Sequence, residues 1–136
     1  LRAAPRNTLA IFTSDNGPWF AGSSGGLRGR KGTTWEGGQR VPMIARWPGQ
    51  IPAGRLSNSP LTGMDWVPTL AAVCGAKVPP GIDGVNASAL LRGGKQEPER
   101  QVLLYFFGWD LQAARLGNWK LHLARYNADA YSQGWG

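Results

Sequence analysis

Short apolar runs alternate with glycine-rich and polar stretches along this chain. Residues 8–14, TLAIFTS, form a mostly apolar run that ends at the polar sequence DNG. This pattern is typical of a strand buried on both faces of an α/β sheet. Residues 40–48, RVPMIARWP, predict a second strand, in which Pro42 favours an edge or strand-end position. Residues 17–38 follow neither a helical nor a strand period and predict a long loop, of the kind that often carries function.

The middle of the chain contains the clearest helical pattern. Residues 64–75, MDWVPTLAAVCG, have Asp65 in a capping position and Gly75 where a helix would end. Cys74 lies on the predicted apolar face, where a thiol is normally buried and inert. Residues 79–99 predict a connecting loop with one helical turn around 87–91. The apolar face of the helix consists of Val67, Leu70, Ala71 and Cys74.

The last third of the chain has the alternation of an antiparallel sheet. Residues 101–107, QVLLYFF, predict a strand, and Gly117-Asn118 between two alternating segments predicts a hairpin. In its second arm Lys120 and His122 share one face, and the apolar residues share the other. The order of strand, loop, strand, helix, strand and hairpin suits the end of an α/β domain that passes into a small antiparallel sheet. The apolar residues of that arm are Trp119, Leu121 and Leu123.

Composition narrows the class of protein. With 136 residues of which 42% are hydrophobic, the chain can bury a core, which argues against disorder. The net charge of +7 raises the possibility of a polyanion ligand, and the densest group of cations lies between Arg28 and Arg46. Cys74 is the only cysteine, which excludes an internal disulfide and a multi-cysteine metal site. The opening sequence LRAAPRNT reads as the tail of a helix, and we therefore expect a piece of a longer protein.

Asp15 and Asn16 are the first candidates for chemistry. They follow the first predicted strand, and sites in open α/β sheets lie beyond the carboxyl ends of strands. A carboxylate beside an amide suits a hard cation such as calcium or magnesium, whereas zinc prefers histidine and cysteine. An Asp-Asn-Gly sequence also favours a plain turn, and spacing alone favours the turn over a metal site.

Lys31 and His122 are the other candidates. Lys31 lies between Gly29 and Gly32, where a glycine-lined backbone could approach an anion, although composition alone favours a solvated basic loop. The spacing of a phosphate-binding loop is absent. His122 is the only histidine and sits in an alternating strand, which favours a structural or surface role.

Several motifs together resemble one family. TLAIFTSDNGP, LRGRKGTTWEGGQRVPMIARWPGQI, MDWVPTLAAVCG, IDG and ARLGNWKLH occur in this order over nearly the whole chain. The combination is similar to the carboxyl-terminal part of type I sulfatases, the arylsulfatase group. The resemblance implies an α/β, alkaline-phosphatase-like fold. Residues 1–95 would form the carboxyl-terminal portion of the core, and residues 96–136 the beginning of a small antiparallel subdomain.

The resemblance also implies site residues. Asp15 and Asn16 match two ligands of the active-site calcium of the family, and Lys31 matches a lysine that contacts the sulfate group. The family nucleophile is a formylglycine made in a C/S-x-P/A-x-R motif, which the sequence around Cys74 does not match. The parent protein would be a sulfuric ester hydrolase, and we expect the isolated chain to be inactive because the nucleophile lies outside it.

Three alternatives remain open. One is a phosphodiesterase or phosphonate hydrolase of the same superfamily, although Asn16 in place of a histidine favours a calcium sulfatase. A second is a non-catalytic fragment that binds polyanions through its basic loop. Nucleic-acid binding is the third, disfavoured because the aromatic residues do not form a stacking platform. We expect a sulfate ester and the rest of the polypeptide as partners, with no nucleic acid or membrane. The family alone implies a periplasmic, secreted or lysosomal location.

Overall fold

The structure is a computed structural model that describes residues 7–94 and 102–123. The described residues cluster into two compact units, one drawn from residues 7–12 and 44–94, the other from residues 13–43 and 102–123. The predicted boundary at residue 95 lies outside the described residues and stays a prediction. The elements in chain order are β1 (Ala10–Thr13), α1 (Glu36–Gln39), β2 (Met43–Arg46), a 3-10 turn (Gly63–Asp65), α2 (Trp66–Cys74), α3 (Ser88–Leu91), β3 (Val102–Phe107), β4 (Asp110–Leu116) and β5 (Trp119–His122).

Both strands predicted in the first half form, and they pair with each other. β1 and β2 make a two-stranded sheet, and Trp47 Nε1 donates to Asn7 Oδ1 at 3.2 Å just outside it. The expectation that the first strand is buried on both faces is wrong for this chain, because Phe12 is 69% exposed. With only two strands hydrogen-bonded in the described part, neither face of the ribbon is covered by a further layer.

The predicted helix at residues 64–75 forms as a 3-10 turn followed by α2. The Asp65 carboxylate accepts hydrogen bonds from Thr62 N at 2.8 Å and Thr62 Oγ1 at 3.0 Å, and this makes a capping box with Thr62. A third bond, from Val85 N at 2.9 Å, ties the loop before α3 to the same carboxylate. The helix ends as expected at Gly75, whose φ of 68° is left-handed.

The buried side of α2 differs from the predicted apolar face. Thr69 is buried, and its Oγ1 accepts a hydrogen bond from Ala87 N at 2.9 Å. Cys74 is exposed, so the expectation of a buried thiol is wrong. The reason is geometric: at about 100° per residue, Cys74 lies about 140° around the helix from Thr69. The expected helical turn near residues 87–91 is confirmed by α3.

The second unit contains the predicted strand and hairpin as one antiparallel sheet in the order β3-β4-β5. Val102 pairs with Leu116 across the first ladder, and Leu116 pairs with Trp119 across the second. Gly117, with φ 56°, supplies the left-handed residue of the hairpin turn. The separation of the two faces of β5 is confirmed, but the apolar face is the exposed one: Trp119 is 83% exposed, and Lys120 and His122 point inward.

The long loop contains one helical turn that its composition did not predict. Helix α1 includes Gly37 and Gly38, which disfavour helices, yet both are buried. Glycine is required at both positions because any side chain would overlap the preceding loop. A Cβ at Gly37 would meet the carbonyl oxygens of residues 27–29, and a Cβ at Gly38 would meet the carbonyl oxygen of Arg30. Close packing against the preceding loop therefore decides this element, rather than helix propensity. No helix of the described residues is long and apolar enough to cross a membrane.

Candidate active site

Asp15 and Asn16 form an exposed polar turn directly after β1. The side chain of Ser14 donates to the carbonyl oxygen of Asn16 at 2.8 Å, and Asn16 Nδ2 donates to Asp15 Oδ2 at 2.7 Å. The hydrogen bond from Asn16, followed by the contact with Lys31, holds the pKa of Asp15 below its usual value. The carboxylate is therefore ionised over the physiological pH range and can bind a cation.

Lys31 lies beside this turn although it is distant in sequence. Its Nζ is 3.4 Å from Asp15 Oδ2, and its backbone N–H donates to Pro18 O at 3.1 Å. The side chains of Lys31 and Asp15 are 45% and 77% exposed, so this pair contributes little to stability. The structure thus brings together all three predicted site residues and leaves their charged groups open to solvent.

Backbone hydrogen bonds to α1 hold the two site segments together. Gly17 N donates to Gly38 O at 2.9 Å on the side of the Asp15 turn, and Gly37 N donates to Arg28 O at 2.7 Å on the side of Lys31. A Cβ at Gly17 would overlap the carbonyl group of Gly37. The glycines are therefore required by close backbone approach at the point where the two segments meet.

Arg30 organises the loop between the acidic turn and Lys31. Its Nη1 donates to the carbonyl oxygens of Trp19, Phe20 and Gly22 at 2.8, 2.8 and 3.0 Å. The rings of Trp19 and Phe20 meet edge to face with centroids 4.9 Å apart, and both are exposed. This loop has no helix or strand, and its carbonyl groups have no partner in a β-ladder. The Arg30 guanidinium orders the loop by donating hydrogen bonds to three of them.

A cluster of three charged side chains, Glu36, Arg115 and Lys120, joins α1 to the sheet, and we call it the Glu36 cluster. Glu36 Oε1 is 2.9 Å from Lys120 Nζ, and Glu36 Oε2 is 3.2 Å from Arg115 Nη1. Lys120 also donates to Thr34 O and lies 3.7 Å from the centroid of the Tyr105 ring. Burial would raise the pKa of Glu36, but Lys120 and Arg115 outweigh it and lower that pKa. Burial, which disfavours the charged ammonium, lowers the pKa of Lys120; the charge of Arg115 adds to this, and Glu36 opposes it.

Trp35 contacts two other side chains next to this cluster. The guanidinium of Arg28 lies 3.8 Å from the centroid of the Trp35 ring, and His122 stacks on Trp35 at 3.7 Å. Partial burial, then the charges of Lys120 and Arg28, lowers the pKa of His122 below its usual value. His122 is therefore mainly neutral at pH 7 and packs against an aromatic ring, consistent with the expected structural role.

The donor set at Asp15 and Asn16 fits a hard cation in part. A carboxylate and an amide oxygen are ligands that calcium accepts, and the turn contains no soft ligand. Two residues, however, supply fewer than the roughly six to eight oxygens of a calcium shell. In the part of the chain that the structure describes, no three histidine, cysteine, aspartate or glutamate side chains are grouped to hold a metal. Other ligands would have to come from outside these residues.

Sequence reasoning missed the Glu36 cluster and the Trp35 stack. Glu36 follows Trp35 in a stretch without periodicity, and its partners lie on strands about eighty positions further along the chain. The available signal was the pairing of Lys120 with His122 on one face of β5, opposite a fully apolar face. Two basic side chains on an inward face require a carboxylate or another acceptor nearby.

Comparisons with known proteins agree on one family. The family model described as Sulfatase matches residues 1–76. Steryl-sulfatase of Mus musculus is 41% identical over 125 residues, and arylsulfatase A of Homo sapiens is 40% identical over 133 residues. The crystal structure of the PsFucS1 sulfatase from Pseudoalteromonas sp. superposes with a TM-score of 0.74 at 36% identity.

The matches extend over most of this chain but over a small part of each relative. They cover 83% of the chain and 20% of the mouse protein, 93% and 25% of the human protein, and 86% and 25% of the bacterial structure. The chain thus spans about a fifth to a quarter of the length of these relatives. The predicted fold class, an α/β fragment of the sulfatase fold, is confirmed. This chain belongs to the type I sulfatase family.

Proposed function

We propose that this chain is part of a sulfuric ester hydrolase, here called the parent protein, and that it contributes Asp15, Asn16 and Lys31 to the active site. The observation that carries the proposal is the 3.4 Å approach of Lys31 Nζ to Asp15 Oδ2. An exposed ammonium beside an exposed carboxylate provides one group for an oxyanion and one for a cation. The same pair of charges suits a sulfate group bound next to a metal ion.

Each residue has a defined task in this proposal. Asp15 and Asn16 would hold calcium by their side-chain oxygens, and calcium would polarise the sulfate oxygens when bound. Lys31 would bind a sulfate oxygen and stabilise the charge that develops there as the S–O bond breaks. The formylglycine nucleophile would come from another part of the parent protein, and for that reason we expect no turnover by the isolated chain. A periplasmic, secreted or lysosomal location goes with this proposal.

The cations of the basic loop give less support to a general polyanion site. Arg30 is committed to three carbonyl groups, and Arg28 lies over Trp35. Of these three cations, Lys31 has the weakest interaction, an exposed ion pair with Asp15. One available ammonium fits a single small anion better than an extended polyanion, whose binding needs several cations along its length.

The experiment compares the parent protein with Lys31→Ala, Lys31→Arg and a control, Lys77→Ala, in the exposed segment after α2. We expect aryl sulfate hydrolysis in the wild type and an approximately 10²–10³-fold loss of kcat in Lys31→Ala, as for other groups that stabilise developing charge. Lys77→Ala should keep wild-type activity. A wild type that cleaves phosphodiesters or phosphonates but not sulfate esters would replace the proposal by the related hydrolase. Binding of sulfated polymers without any turnover would favour the non-catalytic alternative.

A further inference from the structure

The Glu36 cluster is partly buried on the inward face of the sheet, a place where apolar side chains would be expected. The side chains of Lys120, Arg115 and Glu36 are only 11%, 21% and 28% exposed. Every buried side-chain nitrogen and oxygen of the described residues has a hydrogen-bond partner. The cluster is therefore a fully satisfied polar network, the kind that fixes one arrangement of the groups around it.

Stability alone gives a weak reason for such a network. Enclosed ion pairs lose solvation, and apolar residues of similar volume often stabilise as much or more. The sheet has such apolar residues, but Leu104, Leu121 and Trp119 lie on its exposed face. On the inward face, Arg115 and Lys120 both donate to the carboxylate of Glu36. Lys120 also donates to the backbone oxygen of Thr34. These contacts define the position of the segment that carries Thr34 and Glu36.

That segment is continuous with Lys31 and closed on itself. Thr33 N donates to Arg30 O at 3.0 Å, and Arg30 N donates to Thr33 Oγ1 at 3.2 Å, on either side of Lys31. Gly37 N reaches back to Arg28 O at 2.7 Å. Thr34 Oγ1 adds a buried hydrogen bond to Gln112 Oε1 on β4 at 3.1 Å. Residues 28–37 thus form one closed loop, the Lys31 loop, whose far end is bound to the sheet.

We propose that the Glu36 cluster is a positioning device for Lys31: the sheet holds Glu36 and Thr34, and the closed Lys31 loop transmits this position to the ammonium group. Glu36, Arg115 and Lys120 touch no reacting atom in this scheme and act only through Lys31. The inference rests on the proposed function, in which Lys31 contacts the sulfate group. Its test must therefore separate a failure of the Lys31 assignment from a failure of the positioning.

The test is a double-mutant cycle in the parent protein, with aryl sulfate hydrolysis as the readout. The variants are Glu36→Gln, Lys31→Ala and the pair together, assayed at a temperature where all are folded. We expect Glu36→Gln to lower kcat about 10-fold or more with a smaller change in KM, because small misplacements of a catalytic group are costly. In the Lys31→Ala background Glu36→Gln should have almost no further effect, since the group that it positions is gone.

Three further variants complete the test, and two of them, Asp65→Asn and Lys120→Arg, are controls. Asp65→Asn removes a buried structural carboxylate of the other unit, and it should lower the melting temperature while leaving kcat per folded molecule unchanged. Lys120→Arg keeps the charge toward Glu36 and should retain most of the activity, whereas Lys120→Gln should behave like Glu36→Gln. If Glu36→Gln does not fold, the cycle with Lys120→Gln answers the same question.

The outcomes are distinguishable. Full activity in Lys31→Ala, or no sulfatase activity in the wild type, would overturn the proposed function and the positioning with it. A strong loss in Lys31→Ala together with multiplicative losses in the double variant would overturn only the positioning, because Glu36 would then act independently of Lys31. A Glu36→Gln variant with a lower melting temperature and wild-type kcat would show a purely structural cluster.

Discussion

The backbone N–H of Gly17 donates to the carbonyl oxygen of Gly38 at 2.9 Å, across twenty-one positions of sequence. This bond joins the turn that carries Asp15 and Asn16 to α1, and α1 is bonded in turn to Arg28 near Lys31. The approach is so close that a Cβ at Gly17 would overlap the carbonyl group of Gly37. The relative position of the acidic turn and the Lys31 loop therefore depends on a residue without a side chain.

The first prediction concerns this glycine. Gly17→Ala should lower the stability of the parent protein by about 1–3 kcal/mol, because the methyl group forces backbone atoms apart. It should also lower activity in the fraction that remains folded. Gly63→Ala is the matched control, since a Cβ there meets nothing within 4 Å. Melting temperatures and kcat of both variants test this, and equal effects of the two substitutions would contradict the role of Gly17.

The second prediction concerns Arg30 and the loop that it holds. Arg30→Ala removes the donor for the carbonyl groups of Trp19, Phe20 and Gly22, so this loop should open more often. We expect chymotrypsin to cleave after Trp19 or Phe20 several-fold faster than in the wild type. Arg46→Ala, an exposed arginine of β2, is the comparison. Unchanged cleavage in Arg30→Ala would show that the three hydrogen bonds do not order the loop.

The third prediction concerns the pKa of His122. Because partial burial, Lys120 and Arg28 disfavour the imidazolium, the folded pKa should lie below the value of 6.5 found in an unfolded chain. Between these two values the unfolded state binds more protons, so stability is fully present above pH 6.5 and is lost as the pH falls through the folded pKa. His122 is the only histidine, so a proton NMR titration of this chain with and without urea measures both values.

His122→Phe provides the control for this pH dependence. The substitution keeps a ring that can stack on Trp35 but removes the titrating group, so less stability should be lost between pH 7.5 and 5. A folded pKa at or above the value in urea would contradict the prediction. An equal loss of stability in wild type and variant would assign the pH dependence to other groups.

The fourth prediction concerns calcium binding by the isolated chain. Asp15 and Asn16 supply two ligand residues of a shell that normally needs roughly six to eight oxygens, so binding should be weak. Calorimetry with calcium chloride should give a dissociation constant well above the micromolar range, and Asp15→Asn should weaken the signal further. Micromolar affinity would mean that this chain holds a more complete site than its described residues indicate.

Much of the local structure is determined by the sequence. Apolar runs closed by polar turns indicated β1 and β2, the helical pattern ending at Gly75 indicated α2, and Gly117 between alternating arms indicated the β4-β5 hairpin. These elements depend on contacts within a few residues, which the order of residue types encodes directly. The family motifs further indicated Asp15, Asn16 and Lys31 as site residues.

Only the tertiary structure decided which faces are partly buried and how the predicted site residues meet. The exposed face of the sheet is apolar, and the inward face carries Lys120 and His122. These two side chains contact Glu36 and Trp35, which lie about eighty positions earlier in the chain. Helix α1 forms in a glycine-rich stretch because only glycine admits the backbone of residues 27–30 at that distance. Lys31 reaches Asp15 through this same packing. Such contacts join distant residues, and a local pattern cannot specify them because each partner's environment exists only after the chain has folded.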